Sequence, residues 1–373
     1  MRIGIPAETR AGETRVAATP ETVKKLATKN EVRIQAGAGA GSNFPDKEYE
    51  AAGGKIVASA AEAFEADIVL KVRSPLEGEL QYLKANSTLI GLLEPFNTAG
   101  LEEIAKRGVN GFAMESLPRI SRAQPMDVLS SQANIAGYKA VVLAAAEYGR
   151  FFPMLMTAAG TVKAARVLIL GAGVAGLQAI ATAKLLGAVI EASDVRPAVK
   201  EQIESLGAKF LDVPFITDEE REIAQGTGGY ARPMPADWMR RQGEAVHQRA
   251  LASDVVITTA LIPGRQAPKL IRENTVRQMK PGSVIVDLAA EQGGNVEGTE
   301  PGRTVVRHGV KLIGMTNLAA SVPTDASTLY AKNLFNLLAL MLDAKTGEFR
   351  IDREDEIVAG TLVCAGGSVV KKG

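Results

Sequence analysis

Residues 166–196 read RVLILGAGVAGLQAIATAKLLGAVIEASDVR, and this stretch decides the fold. Residues 167–170 are a short apolar run of strand character. Gly171, Gly173 and Gly176 follow in the spacing G-x-G-x-x-G. An apolar helix pattern comes next, then a second strand at 189–192 that leads to Asp194. Gly171 permits a tight strand-to-helix turn, Gly173 lets backbone approach a pyrophosphate, and Gly176 lets helix and strand pack closely. The helix N-terminus offers N–H groups and the positive end of its dipole to phosphates. Asp194 falls 18 residues after Gly176, where an acid accepts from a ribose 2′-OH. Its charge repels a 2′-phosphate, so the pattern predicts NAD(H) rather than NADP(H). The glycine spacing alone is a weak signal, and a glycine-rich turn without nucleotide is the competing reading. Strand, glycines, helix, strand and acid in that order are a strong one.

Outward from this unit the same alternation recurs. Towards the N-terminus, strands are predicted at 2–5, 31–34, 67–72 and 88–92, with helices at 19–29 and 98–107 between them. Towards the C-terminus, further strands are expected at 209–212, 255–259, 284–288 and 310–314. With the two flanking the glycine turn they make six, the number for two mononucleotide-binding halves. Alternating strands and helices argue a parallel sheet covered on both faces. Residues 118–132, PRISRAQPMDVLSSQ, break the rhythm and lead into a long helix ending near Tyr148. A helix over 324–343 is expected to return to the first domain, and the tail from Glu348 shows weak strand patterns. The predicted fold is α/β, with two Rossmann-like parallel-sheet domains, the first discontinuous. The first comprises residues 1–130 with 322–373; the NAD(H)-binding Rossmann domain spans 131–321. Residues 214–253 are too long for a plain crossover, and QGTGGYA at 225–231 reads as a functional loop.

Composition narrows the function. The 373 residues carry a net charge of +1, which gives no sign of a nucleic-acid partner. The single cysteine, Cys364, excludes an internal disulfide and a cysteine metal cluster, and fits a reducing compartment. No apolar run reaches the roughly 18 residues that span a bilayer, and MRIGIPAE enters a strand pattern directly. No metal-ligand spacing or nucleophile-elbow motif is present. The two histidines, His247 and His308, both read as solvated surface residues. Oxidation of an alcohol or amine needs a proton acceptor beside the reacting carbon. Transfer of hydride between two nicotinamides releases no proton and needs alignment and exclusion of water.

On its motifs the chain closely resembles the NAD(H)-binding component, on the alpha subunit, of the proton-translocating NAD(P) transhydrogenases. The motifs are ETRVAATPETVKKL, PRISRAQ-x-MD-x-LSSQANIAGY, the glycine turn with its flanks, KEQIESLGAKF, TTALIPG-x-x-APKLI and MKPGSVIVDLAAEQGGN. They cover essentially the whole chain. The resemblance implies a homodimer with NAD(H) on this chain and no metal. It implies NADP(H) on a separate component, and a membrane-spanning component that couples Si-Re hydride transfer to proton translocation. It also implies a cytoplasmic protein, peripheral on the inner membrane through its partners. Arg119, Gln124, Asp127 and Ser130 would stand at the site of hydride transfer, with Gln124 facing the incoming NADP(H). Gly173 and Val174 would line the pyrophosphate. Asp194, Val195 and Arg196 would hold the adenosine ribose. Gly229, Tyr230, Gln242 and Leu261 would close the cofactor pocket. Pro125 departs from the motif; it removes one N–H and stiffens the loop.

Alanine dehydrogenases share the architecture and supply the alternative function, NAD-dependent amino-acid oxidation. They bind substrate with an arginine and a lysine, matched by Arg15 and Lys71, and relay a proton through a histidine. At that place this chain reads Leu92-Leu93-Glu94-Pro95, and Glu291 stands where those enzymes carry an aspartate. Arg15 and Lys71 then read as structural charges. A non-enzymatic NAD-binding module is the third possibility.

Overall fold

The computed structural model describes residues 1–224, 234–262, 264–343 and 345–370. Six strands open the chain: β1 (Arg2–Ile5), β2 (Glu31–Gln35), β3 (Lys55–Val57), β4 (Ile68–Arg73), β5 (Thr88–Leu92) and β6 (Asn110–Ala113). They pair in the order β3-β2-β1-β4-β5-β6, all parallel. This is a doubly wound order whose direction reverses between β1 and β4. Ile3, Ile5, Ile68, Leu70 and Ile90 are buried against the helices Pro20–Leu26 and Pro323–Met341.

The helix Val128–Glu147 carries the chain onward. A short antiparallel hairpin follows, β7 (Leu155–Thr157) with β8 (Gly160–Val162). Then come β9 (Arg166–Leu170), β10 (Val189–Ser193), β11 (Lys209–Phe210), β12 (Val255–Thr258), β13 (Val284–Asp287), β14 (Thr304–Arg307) and β15 (Val310–Ile313). Their order is β11-β10-β9-β12-β13-β15-β14, parallel except for β14. Val167–Leu170 and the whole of β12 and β13 are buried, as expected for strands covered on both faces. The last strands, β16 (Leu362–Ala365) and β17 (Ser368–Val369), complete the first sheet, with β16 antiparallel to β6. The chain divides into two compact units, Met1–Gln132 with Ala319–Gly373, and Ala133–Leu318.

The expected elements and the observed ones differ in four places. The second sheet has seven strands, not six. The additional one, β14, is a half-polar edge strand. It joins β15 through His308 and Gly309, which have φ of 52° and 79°. That is the two-residue turn with positive φ at both central positions, normally signalled by Asn-Gly or Asp-Gly. The tail is not all strand: Glu356–Thr361 is helical, started by Asp355, whose carboxylate accepts from the Ile357 and Val358 N–H groups. Asp218–Ala224 is a helix within the long segment after β11. Finally, His247 is not solvated. It is half-buried on the helix Ala236–Ala252, and its Nδ1 lies 2.8 Å from Thr275 Oγ1.

Candidate dinucleotide site

The glycine turn lies at the C-terminal end of β9, where the second sheet reverses direction between β9 and β12. Gly171 has φ of +99°, a conformation that only glycine adopts without strain. A Cβ there would fall 2.6 Å from Thr259 Oγ1. At Gly176 a Cβ would fall 1.9 Å from the Gly171 carbonyl oxygen, so the helix approaches the turn too closely for any side chain. Gly173 differs. It precedes the helix Val174–Leu185, and a Cβ added to it meets nothing within 4 Å. The first N–H groups of a helix have no acceptor within it. Open backbone, free donors and a helix dipole together fit the phosphates of a dinucleotide.

Asp194 follows β10 at once. Its Oδ2 accepts from the Ala172 N–H at 2.8 Å, tying it to the glycine turn. Its Oδ1 accepts from the Arg196 backbone N–H at 2.9 Å. The Arg196 guanidinium closes on both oxygens, Nε to Oδ1 and Nη2 to Oδ2, each at 2.9 Å. The carboxylate pushes the guanidinium pKa up. Across the reversal point, the Thr259 N–H bonds the Leu170 carbonyl at 2.8 Å and its hydroxyl donates to the Gly171 carbonyl at 3.0 Å.

Sequence reasoning missed the supports of that strand end. Asp287 Oδ1 accepts from Thr258 Oγ1 and from the Ala289 and Asn295 N–H groups; Oδ2 accepts from the Val296 N–H. Asn295 in turn bonds both the N–H and the carbonyl of Ala260. These buried groups fix residues 258–260 beside the turn, and Leu261 follows, exposed. The signal in the sequence was a polar residue closing each of two apolar runs, VVITT and VIVD. Gln242 is buried on the helix Ala236–Ala252, four residues from Trp238, which stacks on Phe215 at 5.9 Å. Gly229 and Tyr230 lie outside the described residues.

The first unit presents the RISRAQ segment. Ser121–Met126 is a 3₁₀ helix that accommodates Pro125. The Pro125 carbonyl accepts from Asn333 and Asn336 Nδ2 at 2.8 and 2.9 Å, so the returning helix holds the segment in place. Arg119 and Gln124 are exposed, whereas Asp127 and Ser130 are half-buried and bonded to each other. Asp127 Oδ1 accepts from the Ser130 N–H at 2.9 Å and Oδ2 from its hydroxyl at 2.6 Å. This caps the helix Val128–Glu147, a structural role that stands beside any functional one.

The reversal point of the first sheet is built from charge. Glu8, just past β1, accepts from the Val72 N–H at the end of β4 at 2.7 Å. Lys71, 1% exposed, reaches Glu79 at 2.9 Å and Glu8 at 3.4 Å. Arg15 is buried in a bidentate pair with Glu13, 2.6 Å at the closest, and bonds Gln132 at 2.8 Å. Burial pushes the Glu8 carboxyl above the usual range, against the pull of Lys71. At the place matched to the alanine dehydrogenase histidine, Glu94 takes φ of +57° and its N–H donates to Glu115.

Family comparisons agree over both units. Residues 4–136 match the family described as alanine dehydrogenase/PNT, N-terminal domain, and residues 140–372 match its C-terminal domain. The chain belongs to the alanine dehydrogenase/PNT family. Within this family it is similar to an NAD(P) transhydrogenase alpha subunit of Rhodospirillum rubrum, 51% identical over 99% of this chain and 98% of the other. Alanine dehydrogenase 2 of Staphylococcus aureus is 32% identical over 92% and 88%. Among solved structures of the alanine dehydrogenase/PNT family, the transhydrogenase from Sinorhizobium meliloti superposes with a TM-score of 0.86 at 45% identity, covering 99% of each chain. An L-alanine dehydrogenase gives 0.81 at 27%, covering 99% of this chain and 97% of the other. Among the described residues no group of His, Cys, Asp or Glu could hold a metal, and no helix is long and apolar enough to cross a membrane.

Proposed function

We propose that this chain is the NAD(H)-binding subunit of a proton-translocating nicotinamide nucleotide transhydrogenase. The glycine turn carries the nucleotide reading: an open helix N-terminus at the strand reversal, with Asp194 tied to the same turn. Gly173 and Val174 take the pyrophosphate there, and Asp194, Val195 and Arg196 take the adenosine ribose. Gln242 and Leu261, with Gly229 and Tyr230, enclose the cofactor. Arg119, Asp127 and Ser130 hold the nicotinamide end. Gln124 faces the NADP(H) of a partner component. When bound, the nicotinamide supplies the hydride. The chain orients it and keeps water away. Gln124 cannot titrate near neutrality, so its work is positioning.

Similarity favours a transhydrogenase subunit, and so does the first unit. Arg15 and Lys71 are the cations matched to amino-acid binding, yet Glu13, Gln132, Glu79 and Glu8 already occupy them. A substrate carboxylate would have to displace a buried glutamate. A homodimer is supported by Phe151, Met154, Met156 and Leu185, large apolar side chains exposed around the β7–β8 hairpin. A membrane component would couple transfer to proton movement, placing this chain at the cytoplasmic face of the inner membrane.

The test is to mix the purified chain with an NADP(H)-binding transhydrogenase component and follow hydride transfer between nucleotides. Transfer that needs both components supports the proposal. Steady formation of NADH from NAD⁺ and alanine by this chain alone would establish the amino-acid dehydrogenase instead.

A further inference from the structure

The Asp194 carboxylate is full. An ionised carboxylate offers about four lone-pair sites. Here four donors converge on it: the Ala172 and Arg196 backbone N–H groups, and Nε and Nη2 of Arg196. The two backbone donors belong to the glycine turn and the end of β10, and they leave only if that backbone refolds. The other two come from a single side chain. A ribose diol that donates two hydrogen bonds to Asp194 is therefore admitted by moving the guanidinium aside.

The pair is shielded. The Arg196 and Asp194 side chains are 20% and 7% exposed, so the bidentate contact is held largely out of water. A guanidinium released at this point stands next to the acceptor of the 2′-oxygen, and its planar fork matches phosphate oxygens as well as carboxylate ones. Nicotinamide dinucleotides differ here only in what the 2′-oxygen carries.

Resting on the reading of this turn as a dinucleotide site, we propose that Arg196 is a latent 2′-phosphate receptor. Asp194 keeps it engaged, and the pair sets the preference for NAD(H). Asp194 thus acts twice: it repels the phosphate, and it occupies the adjacent cation that would bind it. Removing the acid alone releases a phosphate receptor. Removing both residues does not.

The experiment is fluorescence titration of the full chain with NADH and with NADPH. It compares the wild type, Asp194→Asn and Asp194→Asn/Arg196→Met, at low and high salt. Asp194→Ser, whose hydroxyl can still accept from the Ala172 N–H, replaces the Asn variant if thermal melting shows that one unfolded. The proposal expects the wild type to prefer NADH. The single variant should gain NADPH affinity tenfold or more, in a salt-sensitive way, and the double variant should lose the gain. NADPH affinity unchanged in the folded single variant, or a gain that survives loss of Arg196, overturns the proposal while leaving NADH binding by the wild type intact. Failure of the wild type to bind NADH would overturn the dinucleotide reading and this inference with it.

Discussion

The two sheets of this chain share a strand order and differ in what fills their reversal points. In the second sheet, β9 and β12 end in glycines, a threonine and a helix N-terminus, and the backbone at Gly173 faces open space. In the first, the loop after β1 folds a glutamate over the end of β4, and Lys71, Glu79, Arg15 and Glu13 occupy the interior. Ligands of open α/β sheets enter at such reversal points. One fold thus yields a crevice and a plugged crevice, and the difference lies in about half a dozen side chains. Architecture alone would have assigned both the same role.

The largest effect should come from breaking the plug. Lys71→Met leaves Glu8 and Glu79 buried without their cation, which costs about 3–5 kcal/mol of stability in urea unfolding. NADH affinity measured where the variant remains folded should stay within about threefold if the plug is purely structural. Burial already raises the Glu8 pKa. A group whose folded pKa lies above its unfolded value favours the folded state at acid pH, and that contribution is lost as pH rises through the folded pKa. The deficit of Lys71→Met should therefore be larger at pH 8 than at pH 5. An equal deficit at both would show that Glu8 is not the strained group.

The open crevice should respond in the opposite sense, with affinity moving more than stability. Asp194→Ala should weaken NADH binding by roughly 1.5–3 kcal/mol, as for other charge-assisted hydrogen bonds. Unchanged affinity on titration would remove Asp194 from the ribose site.

The mildest substitution probes the first unit's proposed contact with chemistry. Gln124→Asn shortens one exposed side chain and keeps its amide. Single-turnover transfer in the reconstituted complex should slow by roughly one to two orders of magnitude with NADH affinity nearly unchanged, because misplacement near 1 Å costs about a hundredfold. A lowered melting temperature with normal transfer would reduce Gln124 to a loop residue.

Much of the open crevice was legible in sequence because its chemistry is backbone chemistry, and glycine spacing reports backbone directly. The plugged crevice was not. Glu8, Glu13 and Glu79 come from loops and a short helix, and nothing local says that they meet Lys71 and Arg15 in the interior. Asp287 and Asn295 were hidden for the same reason: their partners lie up to 35 residues away. His247 was misread because a polar helix gives no local sign that Thr275 will pack against one of its faces. Strand β14 was overlooked because His-Gly is an unusual spelling of a hairpin turn.

Hydrogen exchange with and without NADH tests the contrast between the two crevices most directly. Exchange should slow at the amides of residues 172–177, in the glycine turn and first helical turn of the second unit. It should not change at residues 7–13, over the plugged end of β1. Protection at residues 7–13, or none at 172–177 under saturating NADH, would contradict the assignment of one open and one plugged crevice.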